Sequence, residues 1–69
     1  MAGEIRSAAE ATKIAATFLK EYYAFLRPVG ASRDNGTWTV KIDIGLVTKE
    51  IAEVKVDAIT GTVTDYSLP

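Results

Sequence analysis

Between Thr37 and Tyr66 apolar and polar residues alternate almost one for one. The stretch reads Thr-Trp-Thr-Val-Lys-Ile-Asp-Ile, a polar break, then Ile-Ala-Glu-Val-Lys-Val-Asp-Ala-Ile-Thr-Gly-Thr-Val-Thr-Asp-Tyr. A period of two is the signature of a strand with one dry face and one wet face. In Thr37 to Ile44 it turns Trp38, Val40, Ile42 and Ile44 inward and Thr37, Thr39, Lys41 and Asp43 to water. The strand from about Glu50 to Asp57 turns Ala52, Val54 and Val56 inward and Glu53, Lys55 and Asp57 outward. Gly45 to Lys49 connects the two. Asp57-Ala58-Ile59-Thr60-Gly61 is a tight reversal, with Asp accepting local N–H groups and Gly at positive φ, and Thr62 to Ser67 is the last strand.

One wet face requires a cover for the other. Ser7, with Glu10 three residues on, has the spacing of a helix-starting capping box, and no Gly or Pro follows until Pro28. At 100° per residue, Ala8, Ala11, Ala15, Leu19, Tyr22 and Leu26 share one face, flanked by Ile14, Phe18 and Phe25. The reading is a helix over about 7–26, with small residues at its first half for close approach to a twisted sheet. Asn35-Gly36 is a two-residue hairpin signal, which makes Val29 to Arg33 a short first strand. The expected fold is α+β: one N-terminal helix on one face of a three- or four-stranded antiparallel meander, α-β-β-β-β, with the sheet over about 29–67. The 69 residues make a single domain, 1–69.

Chemistry-bearing residues are sparse. The chain has no His and no Cys, so the commonest general base, metal ligand and thiolate nucleophile are missing, and Ser7, Ser32 and Ser67 have no imidazole to activate them. Asp43, Glu53 and Asp57 are candidates for an acid–base or hard-cation site on the wet face. Lys41 and Lys55 share that face, so cross-strand charge pairing accounts for all five residues. Gly30, Gly36, Gly45 and Gly61 fall one per turn and cradle no phosphate. No catalytic, cofactor-binding or metal residue is assigned, and no cofactor is expected.

A formal net charge of −1 gives no general attraction to nucleic acid or an anionic bilayer. The opening Met-Ala-Gly-Glu-Ile-Arg-Ser lacks the basic flank and apolar block of a signal peptide, so the expected setting is the cytoplasm. Trp38 falls in register with the core. Tyr23, Phe25 and Tyr66 are the candidate interaction residues, set at the margin of the helix's apolar sector and near the end of the last strand. Contact with a protein or peptide, or with a second copy as a homodimer, is expected at that margin and at the two sheet edges.

The helix followed by Asn-Gly-Thr-Trp-Thr-Val-Lys-Ile-Asp and Ala-Glu-Val-Lys-Val-Asp-Ala-Ile-Thr-Gly-Thr-Val resembles the PepSY domain, a small helix-plus-meander unit with a Val-Asp-Ala-x-Thr-Gly-x-Val turn. The ending Val-Thr-Asp-Tyr-Ser is also similar to the C-terminal part of gas vesicle protein O. The first resemblance implies a non-enzymatic regulatory module of the kind attached to peptidases. The second implies a cytoplasmic accessory protein that binds other vesicle proteins. The residues that match, Trp38, Val56, Asp57, Thr60 and Gly61, are structural in either case.

Overall fold

Asn35 and Gly36 both take positive φ, 51° and 74°, the conformation that matches the twist of two paired strands. The computed structural model describes residues 4–69. Within it α1 (Ala8–Leu19) precedes β1 (Arg27–Asp34), β2 (Thr37–Asp43), β3 (Ile51–Asp57) and β4 (Val63–Ser67). The strands lie in the order β1-β2-β3-β4, each antiparallel to the next. This is the α+β meander that the alternation requires, with four strands.

The pleat sorts β2 and β3 as the pattern predicts. Trp38, Val40, Ile42 and Ile44 of β2 and its end, and Ala52, Val54 and Val56 of β3, are buried beneath the helix. From α1 the residues that reach them are Ala11, Ala15 and Leu19, all fully buried. The two alanines let the backbone approach the sheet closely, and Leu19 fills the wider gap beyond. Ile14 and Phe18 flank this seam half-buried, whereas Ala8 and Tyr22, read as part of it, are exposed.

The helix begins where the capping box puts it. Ser7 Oγ accepts the Glu10 N–H at 3.2 Å, and Glu10 Oε1 accepts the Arg6 N–H at 2.9 Å. It ends at Leu19, not near Leu26. A helix over 7–26 would be about 30 Å long, against about 23 Å for a seven-residue strand, and would leave no chain to return to the sheet. The backbone instead turns, with the Tyr22 and Tyr23 N–H groups donating to the Leu19 carbonyl at 2.8 and 2.9 Å. Tyr23 and Leu26 then pack against the core from the connection.

Ile5 joins the core without belonging to any element. Its N–H donates to the Ala58 carbonyl at 2.6 Å, and its carbonyl accepts the Trp38 indole N–H at 2.9 Å. The segment before α1 thereby fastens to β2 and to the β3–β4 turn. That turn has the expected build: Asp57 Oδ1 accepts the N–H groups of Ile59 and Thr60 at 2.8 and 3.2 Å, and Gly61 sits at φ 76°.

Candidate contact surface

Both edge strands carry features that discourage pairing with a further strand. β1 contains Pro28, which has no N–H, and its register with β2 shifts at Val29. β4 is five residues long, and its register with β3 shifts at Thr64. Next to that shift the Tyr66 N–H donates to the carboxylate of Asp65 at 2.8 Å.

Beside β4, on the helix side, stands an aromatic ridge. Tyr66 pairs with Val54 in the register and so lies on the helix-facing side of the sheet. Its ring meets Phe18 with centroids 5.1 Å apart and planes tilted by 52°. Phe18 in turn meets Tyr22 at 5.8 Å and 60°. Tilted contacts at this range are favourable edge-to-face arrangements. Phe18 is half-buried against the core, while Tyr22 and Tyr66 remain 66% and 53% exposed. Of the three sequence candidates, only Tyr66 belongs to this ridge. Tyr23 packs half-buried against the core, and Phe25 lies half-buried in the α1–β1 connection. The sequence reading did not expect Tyr22 to be exposed, because a longer helix placed it on the buried face.

On the wet side, Lys41 stands opposite Glu53, and Lys55 opposite Asp65. A shallow depression of about 130 Å³ opens there, lined by Glu53, Lys55, Asp65, Tyr66 and Ser67. The three carboxylates considered as an acid–base or cation site do not meet. Asp43 pairs with Ile51 at one end of the β2–β3 ladder and Asp57 with Thr37 at the other, six positions or about 20 Å apart, with Glu53 between them. Among the described residues, no three His, Cys, Asp or Glu side chains are grouped so as to hold a metal ion.

Asp43 corrects a further expectation. Placed on the wet face by the alternation, it is 1% exposed. Its Oδ1 accepts the Gly45 and Glu50 N–H groups at 3.0 and 3.2 Å, and its Oδ2 accepts from Arg27 Nη2 of β1 at 2.9 Å. Those two backbone donors, and then Arg27, hold the carboxyl below its ordinary value of 3.8 against the opposing effect of burial. The Ile44 N–H donates to the Glu50 carbonyl at 2.9 Å and closes the same loop. At Gly45 a Cβ would collide with the Thr48 carbonyl oxygen, so the bend admits no side chain. The product is a tied loop whose apolar residues, Leu46 and Val47, are 80% and 96% exposed.

No family model matches the chain, and no curated protein or solved structure matches it at a significant level. Among the described residues no helix is long and apolar enough to cross a membrane.

Proposed function

We propose that the chain is a non-catalytic module that binds a protein or peptide through the ridge formed by Phe18, Tyr22 and Tyr66. The observation that carries this reading is the pairing of exposure with fixity. Tyr22 and Tyr66 present more than half of their surface to solvent, yet both lean on Phe18, which is anchored on the core. Aromatic side chains held in this way bury much area at small entropic cost, the property that enriches Tyr at protein interfaces. The resemblance of the Val56 to Gly61 turn to PepSY domains supports a regulatory role by contact. The ending's similarity to gas vesicle protein O supports a cytoplasmic accessory role of the same kind.

The test replaces Tyr22 by photoreactive benzoylphenylalanine, irradiates cells that express the protein naturally, and identifies the adduct. The adduct protein is then purified and titrated against the wild type and Tyr66→Ser. The expected loss of affinity is about tenfold or more, the range of an aromatic contact at the centre of an interface. Equal affinity, or absence of any adduct, would sink the proposal.

A further inference from the structure

The register collects the exposed apolar residues at one end of the molecule. β1 begins, β2 ends, β3 begins and β4 ends at the same pole, because Arg27 is opposite Asp43, Asp43 opposite Ile51, and Ser67 opposite Glu53. Val29, Leu46, Val47 and Leu68 therefore lie there, joined by Tyr22 at the exit of α1. Only Ile59, on the β3–β4 turn, is an exposed large aliphatic residue at the opposite pole among those described. Apolar side chains gathered in one place mark a site of interaction more than scattered ones do. The loop at the tip is also built, since the buried Asp43 carboxylate and the Gly45 bend fix its backbone while leaving Leu46 and Val47 outside.

We propose that this pole is a plug for a concave apolar socket on a partner protein, with Leu46 and Val47 inserted deepest; this rests on the contact reading above and extends it from the ridge to the tip. The dimensions argue for a socket. The longest extent, 37 Å, follows the strands, because four strands span only about 15 Å across. The Cα positions across the pole span 22 by 18 Å, so even with side chains added the end face is smaller than the about 800 Å² per partner that a stable interface needs. Two such convex poles abutting meet over only part of that area, so a second copy is a poor occupant. A walled partner reaches it by covering the sides, the Tyr22–Tyr66 ridge included. The charges argue for protein over an anionic bilayer. Lys20 with Glu21 and Lys49 with Glu50 alternate in sign around the pole, and Arg27 is paired with Asp43, so the rim is neutral and polar.

The test places benzoylphenylalanine at Val47, with Ile59 as the opposite-pole control, beside the Tyr22 probe. The expected result is one adduct protein shared by the Val47 and Tyr22 probes and absent from Ile59. That protein, purified, should bind the Leu46→Ser/Val47→Ser variant at least about tenfold more weakly than the wild type. The variant's melting temperature should be unchanged, because both side chains lie outside the core cluster. A Tyr22 adduct with a silent Val47 probe overturns the plug while leaving the ridge in place, and silence at both overturns both. Val47 adducts formed only with a second copy overturn it in favour of self-association. Flotation of the wild type with phosphatidylcholine vesicles, lost in the double variant, overturns it in favour of lipid.

Discussion

At the scale of single residues, two aspartates show where local pattern stops being informative. Asp57 and Asp43 each accept N–H groups from the residues that follow them. The first was legible, because Asp57 opens a five-residue reversal ending in Gly61. The second was hidden by the alternation, which assigns Asp43 to water, and by Arg27, which lies sixteen positions earlier and meets it only through the β1–β2 pairing. Asp43→Asn tests the assignment. The amide keeps one acceptor for the loop and loses the charge that faces Arg27, so it should lower stability at neutral pH more than Glu53→Gln, whose partner is across a wet ladder. The pH dependence has a definite sign. A carboxyl held below its ordinary value binds fewer protons folded than unfolded, so its stabilisation is complete well above 3.8 and is lost as pH falls through that value toward the lower folded one. Urea melts at descending pH should show the wild type losing stability over that window faster than Asp43→Asn. Parallel curves would remove the role assigned to the charge. Gly45 gives a second residue-scale prediction. Gly45→Ala must displace the Thr48 carbonyl and should cost more than about 1 kcal/mol in urea unfolding, while Gly30→Ala, with nothing within 4 Å of the added Cβ, should be near neutral.

At the scale of elements, the strands were legible and the helix only at its start. Period-two alternation and the Asn35-Gly36 turn identify β2, β3 and the hairpin without tertiary information. The capping box identifies the first residue of α1 for the same reason. Its last residue depends on the length of the sheet beneath it, and Tyr22, Tyr23, Phe25 and Leu26 continue a helical pattern of bulk that the connection uses instead. The sheet edges, expected from the sequence to be contact sites, carry blunting features: Pro28 and the Val29 irregularity on β1, the Thr64 irregularity and the Asp65-bound N–H on β4. If these keep copies of the chain from pairing edge to edge, Pro28→Val combined with Asp65→Ala should raise concentration-dependent association, read by light scattering between about 10 µM and 1 mM, while circular dichroism stays that of the wild type. A double variant that associates no more than the parent would show that other features protect the edges.

At the scale of the whole molecule, the single-sided sheet makes α1 indispensable. A four-stranded meander with one wet face buries its other face only where the helix covers it, and the helix does so along the single seam of Ala11, Ala15 and Leu19. Among the described residues Leu19 and Ile42 are the largest fully buried side chains, and Leu19 packs from the helix into a core of Trp38, isoleucines, valines and alanines. The total stability expected for a chain of 69 residues is roughly 3–10 kcal/mol. Truncating a buried leucine to alanine costs about 2–5 kcal/mol, which is a large share of that total. Leu19→Ala should therefore leave the protein close to its unfolding midpoint at 25 °C, whereas Leu19→Met, of similar volume, should lose less than about 1.5 kcal/mol. Because helix and sheet share one core, circular dichroism of the helix and fluorescence of the buried Trp38 should report the same transition in urea for both variants. Separate transitions, with the Trp38 environment surviving loss of the helix, would mean that the sheet and the Ile5 segment hold a core of their own.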